Sequence, residues 1–247
     1  MSAVAEKTGV APPAPQTRNH LLATLPRSEY LQVRPQLTTV QLESGQALST
    51  PGCPIDAVYF PLDVVISVAA GGEAGMAVEV ASVGCEGMAG LPVLFGSDRS
   101  TNRVLVQITG TAERMEAAEL RRAATRHAQF QRLLHLYAQG FLTQISQSTA
   151  CNRLHSAEQR LARWLLICRD RLGRDELPIT HQTMSTMLGV RRATVTEAAG
   201  ALQREGLIRY RRGMVSLVDR PRLETTSCEC YGIVRREFDR LLGVRVG

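Results

Sequence analysis

The sequence predicts an α+β chain with strands gathered in its first half and helices in its second, and three observations carry that prediction. Short β-branched or alternating runs, broken by Gly, Pro and Asp, fill residues 20–115. Beyond "GTAERM" glycine becomes rare and apolar residues recur at three- and four-residue steps. Towards the C-terminus two short helical patterns meet at Gly189 and lead into an arginine-rich hairpin.

Residues 1–19 open with "MSAVAEKTGVAPPAPQT", an Ala/Pro-rich stretch that reads as a disordered arm and has no apolar h-region. A helix around "HLLATLP" precedes the runs "AVYF", "VVISVAA", "MAVEVASV" and "NRVLVQITGTA", whose close spacing indicates an antiparallel sandwich or barrel over 20–115. The glycines of "AAGGEAGM" suit a hairpin turn. The stretch "VGCEGMAGLPVLFG" is too loop-like for a strand and too apolar for a solvent tail, so it is expected to lie on the sandwich as a short helix or lid. Within 116–154, one long helix runs from Ala128 to Leu154, where Phe130, Leu134, Tyr137, Phe141 and Ile145 form an apolar seam. An identical helix across a two-fold axis is the expected partner for that seam, and the chain's own sandwich is the alternative.

The region 155–220 begins with a helix, "SAEQRLARWLLICRDRLG", capped by Ser156, stopped by Gly173 and turning Leu161, Trp164, Leu165 and Cys168 inward. Thr180 is then placed to cap a helix whose inner face is Met184, Met187 and Leu188. Gly189 supplies a tight turn, and a following helix buries Val195, Ala198, Ala199 and Leu202 at i, i+3, i+4 and i+7. That spacing leaves Arg192, Ala193, Thr196 and Glu197 outward near the N-terminal end, the layout of a helix-turn-helix that enters the major groove by that end. Two short strands in "GLIRYRRGMVSLVD" complete a wing, with Arg211 and Arg212 at a tip suited to phosphate. In 221–247, "CECYGIVRREFDRLLG" presents Tyr231, Val234, Phe238 and Leu241 on one helix face. This helix is expected to dock on the DNA-binding domain, with a second dimer contact as the alternative.

Composition agrees with a polyanionic partner. The 247 residues suit one large or two modest domains, and a net charge of +6 with nearly all of it on arginine fits bidentate phosphate contacts or, equally, a compositional bias of the genome. No apolar run reaches the roughly 18 residues a membrane span needs, so a cytoplasmic protein is expected. The six cysteines form no CxxC pair, and neither a zinc finger nor a disulfide framework is indicated; no metal is expected. "CEC" is the one redox or metal feature, with ordinary reduced thiols its expected state. Motif spacing assembles no nucleophile–base pair, which speaks against an enzyme. The rival class is a small-molecule-binding protein whose winged helix serves protein contacts.

The order of sandwich, long helix and winged helix, and above all "ITHQTMSTMLGVRRATVTEAAGALQREGLI", resembles the cyclic-AMP receptor protein/FNR family of bacterial transcription regulators over His20–Asp219. The resemblance implies an N-terminal β jelly-roll of the cyclic-nucleotide-binding type, a dimerisation helix and a C-terminal winged helix-turn-helix. It implies a homodimer on a palindromic double-stranded DNA operator, with RNA polymerase as a further partner. Thr180, Gln182, Arg191 and Thr194 would then meet phosphates, while Arg192 and Glu197 face bases, as arginine pairs with guanine and glutamate with cytosine. Ala193 and Glu197 depart from the cyclic-AMP branch, so a different operator is expected. Arg191 is a poor N-cap, which leaves Thr194 or a DNA phosphate to satisfy the helix amides.

The effector region departs further. The cyclic-nucleotide branch uses a Gly-Glu-Leu carboxylate for the ribose and an Arg-Ser pair for the phosphate, whereas this chain reads "EGMAGLPVLFGSDRSTNRVLVQ". Alignment puts Met88 at the glutamate and Ser100 at the arginine, or, shifted by one residue, brings in Arg99 and Ser100; Gly90 and Thr101 complete the candidate pocket. Without the carboxylate, no cofactor is expected and cyclic AMP is disfavoured, leaving a ligand-gated response to cyclic AMP or cyclic di-GMP as the alternative. No cysteine precedes Cys53, so the family's N-terminal iron–sulfur ligation is not indicated, and His20, His127 and His135 are poor candidates for a haem axial ligand.

Overall fold

The computed structural model describes residues 17–71 and 77–243. Most of the expected N-terminal arm and the tip of the "AAGGEAGM" turn lie outside them. Asn19, which the sequence places in that arm, is fully buried. Its Oδ1 accepts from Leu22 N at 3.1 Å and caps α1 (His20–Ala23), and its Nδ2 donates to the Pro61 and Gly87 carbonyls, each at 2.9 Å. A side chain that satisfies three buried backbone groups is an anchor for the start of the fold.

After α2 (Arg27–Val33) come β1 (Thr38–Leu42), β2 (Ala47–Ser49), β3 (Ala57–Pro61), β4 (Val65–Gly71), β5 (Ala77–Val83), β6 (Arg103–Ile108) and β7 (Gly110–Glu116). They build two antiparallel sheets, β1-β7-β3 and β2-β6-β4-β5, so the sandwich stands. The run "NRVLVQITGTA" is two strands: β6 lies in one sheet and β7 in the other. Gly110 makes the crossing feasible, because a Cβ there would sit 2.3 Å from the Asp63 carbonyl oxygen, and Asp63 Oδ1 pins the corner by accepting from Thr111 N at 2.6 Å. Strands β1 and β2 escaped the sequence reading, since neither presents a buried alternating face.

The segment after β5 lies on the sandwich, with Met88, Ala89 and Val93 buried and a short 3-10 turn over Leu91–Phe95. Then follow α3 (Ala117–Arg126) and the long α4 (Ala128–Leu154). Phe130, Leu134, Tyr137 and Phe141 are buried inside the same chain, in one core with Phe60, Met88 and Met115; Ile145 packs at its edge. The expected dimer seam is therefore this chain's own interior, the alternative covering. Burial of each large side chain contributes about 1.5–3 kcal/mol, enough to commit that face of α4 to the sandwich. Gly87 shows how tight the fit is: a Cβ would lie 2.0 Å from the Tyr137 ring, whose hydroxyl donates to the Met88 carbonyl at 2.9 Å.

The C-terminal half consists of α5 (Ala157–Leu172), β8 (Glu176–Leu177), α6 (His181–Leu188), α7 (Arg192–Arg204), β9 (Ile208–Arg211), β10 (Met214–Leu217), α8 (Arg220–Thr226) and α9 (Cys230–Leu242). Ser156 and Gln159 form the reciprocal capping box at the start of α5, and Gly173, at φ 66°, ends it. The wing gains a third strand, in the order β8-β10-β9. Helix α9 docks along α4 and, through Tyr231, also on the helix-turn-helix half as expected: Tyr231 joins that half's core and its hydroxyl donates to Asp170 Oδ2 at 2.5 Å. Phe238 stacks on Tyr137 with centroids 6.1 Å apart and covers Gly140, while Val234, Phe238 and Leu242 enter the sandwich core. Leu242 is buried and Leu241 only half-buried, one position from the expected register.

The two halves are clamped. Arg171 of α5, fully enclosed, donates to Glu86 Oε1 at 2.6 Å, to Ser82 Oγ at 2.5 Å and to the Ser82 carbonyl at 2.7 Å. Gly84 gives the guanidinium stem its room, since a Cβ would be 2.3 Å from it. Close by, the turn at Gly189 rests on Val78 of β5.

Candidate nucleic-acid interface

Helix α6 starts where Thr180 Oγ1 accepts from Thr183 N at 3.1 Å and ends at Gly189, with φ 61°. Ser185 Oγ donates to the Val190 carbonyl at 2.6 Å, and the buried Arg160 side chain donates to the Leu188 carbonyl, so the turn into α7 is held on both sides. Val195, Ala198, Ala199 and Leu202 are buried, as the spacing requires. Alanine at two of these four positions lets α7 pack closely on α5 and α6.

The opposite face of α7 is open. Arg191, Arg192, Ala193, Thr196 and Glu197 are exposed, Thr194 is half-buried, and Thr180 and Gln182 are exposed alongside. Arg191 occupies the N-cap position without any side-chain cap, so Thr194 does not satisfy the helix amides. Free N–H groups and the positive end of the helix dipole therefore sit among Arg191 and Arg192, an arrangement that attracts an anion. Sequence reasoning missed His181, which stacks on Tyr210 of the wing with centroids 4.3 Å apart. Burial, and then the Arg192 charge, push the His181 imidazole below its ordinary range, which favours the neutral ring. Thr196 Oγ1 donates to the Arg192 carbonyl at 3.0 Å and lies 3.2 Å from His181 Nδ1, within hydrogen-bond distance. Thr196 is thus a brace between α6 and α7.

At the wing tip Arg211 and Arg212 are exposed and β9 pairs β10 through Arg211↔Met214. Arg212 has φ 49° and Gly213 φ 78°, the positive pair of a two-residue type I′ turn. Between Ile179 and Val218 six arginines face two glutamates. That excess spans the exposed end of α7 and the wing.

The candidate effector pocket is a cavity of about 310 Å³ between the sandwich and α4. Met88, Gly90 and Ser100 line it, as do Phe95, Phe141 and Leu142; Arg99 and Thr101 are not part of its wall. Arg99 instead donates to the Gly52 carbonyl at 2.5 Å. Among the described residues that line the cavity, none carries a charge.

A β-sandwich is thus joined through a long helix to an open-faced winged helix-turn-helix, the kind of module that enters the major groove of DNA. Residues 159–226 match the Crp-like helix-turn-helix domain. The chain is 28% identical over 189 residues to the transcriptional regulator SdrP of Thermus thermophilus, covering 73% of this chain and 90% of that one. Its fold is similar to that of FixK2 from Bradyrhizobium japonicum, with a TM-score of 0.67 at 18% identity over 78% of this chain and 98% of the other. It is also similar to the c-di-GMP responsive regulator CLP of Xanthomonas campestris, with a TM-score of 0.64 at 14% identity over 78% of this chain and 100% of the other. These likenesses make residues 159–226 a Crp-like helix-turn-helix domain and the chain as a whole similar to transcription regulators of the Crp/Fnr family. No helix among the described residues is long and apolar enough to cross a membrane.

Proposed function

We propose that this regulator works in the cytoplasm as a homodimer that reads a palindromic double-stranded DNA operator, without cyclic AMP as effector. The observation that carries the reading is the uncapped, exposed start of α7, with Arg191, Arg192 and Glu197 around it and Arg211 and Arg212 on the adjacent wing. Arg192 and Glu197 would meet base edges; Thr180, Gln182, Arg191, Thr194 and the wing arginines would meet phosphates. RNA polymerase is the partner through which bound protein would act on transcription.

The dimer seam in this reading moves to the other face of α4. His135, Gln139, Leu142, Ser146, Thr149 and Arg153 are all exposed and alternate by four and three residues, the spacing of a coiled-coil seam. Leu142, 56% exposed, is its apolar anchor. Two copies joined there would set two recognition helices on half-sites about one helical turn apart.

The uncharged cavity supports the reading against cyclic nucleotides, because a buried cyclic phosphate without a cation or an N–H cluster would be strongly disfavoured. A mostly apolar ligand is the chemistry its wall suits. The test is selection from a pool of palindromic duplexes followed by fluorescence-anisotropy titration at two salt concentrations, with and without cyclic AMP and cyclic di-GMP. Tight, selective and salt-dependent binding unchanged by nucleotides is expected. Absence of selection among duplexes would remove the operator-reading function, and a nucleotide-dependent gain would remove the effector-free reading.

A further inference from the structure

A group of four metal-binding side chains converges where α4 ends. Cys151, His155, Cys228 and Cys230 bring one sulfur or nitrogen atom each to within 4.8 Å of one another. Cys151 lies in the last turn of α4, and His155, four residues on, is the extended residue that ends the helix. Cys228 comes from the bend between α8 and α9, 77 residues along the chain from Cys151, and Cys230 is the first residue of α9. The three cysteines are 0–2% exposed and form a cluster apart from the two main cores.

From this geometry we propose that the four residues bind a zinc ion tetrahedrally. With bonds of about 2.3 Å to sulfur and about 2.0–2.1 Å to nitrogen, a tetrahedron sets sulfurs about 3.8 Å apart and sulfur about 3.6 Å from nitrogen. The structure places Cys151 Sγ 3.4 Å from Cys228 Sγ and Cys230 Sγ 3.7 Å from His155 Nδ1. His155 also has the support that a zinc-bound imidazole uses: its Nε2 lies 3.2 Å from Glu229 Oε1, which fixes the ring and leaves Nδ1 for the ion. Three thiolates and one imidazole in a closed tetrahedron select zinc, whereas an iron–sulfur cluster spreads its ligands over several metal atoms and needs a wider cage. Binding would replace three thiol protons, released to solvent, by one divalent ion, leaving a complex of charge −1. Arg163 of α5, whose buried Nε has no hydrogen-bond partner among the described residues and whose charge acts on Cys151, Cys228 and Cys230, would balance that charge.

The ion would staple three segments at one point: the end of α4, the elbow into α5, and the start of α9, whose Phe238 lies on Tyr137. Its role is structural, since four protein ligands leave no open position for substrate.

The experiment is metal analysis of the full chain purified under reducing conditions from zinc-supplemented cells, followed by cobalt substitution. About one zinc per chain is expected, together with the visible bands and thiolate charge-transfer absorption of tetrahedral cobalt. Cys228→Ser and Cys230→Ser should each lower the metal content several-fold, while Cys53→Ser, at an exposed thiol outside the cluster, should leave it unchanged. If a cluster variant fails to fold, release of zinc from the wild-type chain by a thiol-modifying reagent, read with a zinc-sensitive dye, decides the matter. A metal-free chain without cobalt bands would overturn the proposal. So would an unchanged zinc content in both cluster variants, or a Cys151–Cys228 disulfide as the purified resting state.

Discussion

Glu79 sits on β5 where the sandwich meets α5, accepting from Gln107 Nε2 at 3.2 Å. Burial pushes its carboxyl from an ordinary 4.5 up to about 7, against the opposing influence of Ser67 and Arg171. The folded chain therefore prefers the protonated acid. That preference contributes fully below about pH 4.5 and is lost as pH rises through about 7. Glu79→Gln should flatten the pH dependence of stability between those limits and leave the variant the more stable protein at pH 8. Urea midpoints at pH 5 and pH 8 check this, and an unchanged difference between the two would contradict it. This proton site was invisible in the sequence, where Glu79 is the polar member of an alternating strand. The Arg171–Glu86 pair, 85 residues apart, was hidden for the same reason: local spacing carries no information on what folds onto a strand. The Cys and His ligands of the proposed zinc site have their spacing split between two distant segments.

The winged helix-turn-helix was legible at the level of elements because each of its boundaries has a local cause. Thr180 caps, Gly189 turns and Val195, Ala198, Ala199 and Leu202 face inward, all from residues within one short segment. Periodicity alone failed for α4 and α9. It identified an apolar face on each and could not say what covered it, and in the structure the two helices cover each other and the sandwich. The hairpin of the wing shows a conflict between stability and binding. Arg212 holds a left-handed conformation that costs an ordinary side chain about 1 kcal/mol, yet it places a guanidinium at the tip. Arg212→Asn should raise stability by about 0.5–1 kcal/mol, as asparagine tolerates that conformation, while weakening binding to all duplexes alike and reducing its salt dependence. Thermal unfolding and salt-titrated anisotropy on the same preparation test both halves, and a loss confined to one duplex sequence would contradict the phosphate assignment.

Across the whole molecule, the DNA-reading half is fixed to the sandwich by an enclosed ion pair rather than by apolar packing alone. Removing one member, as in Arg171→Ala, should cost about 3–5 kcal/mol because Glu86 would be left buried and unpaired. Replacing both, as Arg171→Met with Glu86→Leu, should recover most of that loss, and urea denaturation of the single and double variants measures it. A double variant as unstable as the sum of two singles would show that the pair is not the coupling. A ligand in the sandwich cavity could alter DNA affinity only by favouring one arrangement of the two halves over another.

The most direct test of operator reading is the ratio of affinities for a selected palindrome and its scrambled counterpart, measured by anisotropy for the wild-type chain and for Arg192→Ala. A loss of about 1–3 kcal/mol on the palindrome, with binding to the scrambled duplex nearly unchanged, is the result the account predicts. An equal loss on both duplexes would make Arg192 a phosphate contact and contradict the assignment of α7 as the base-reading helix.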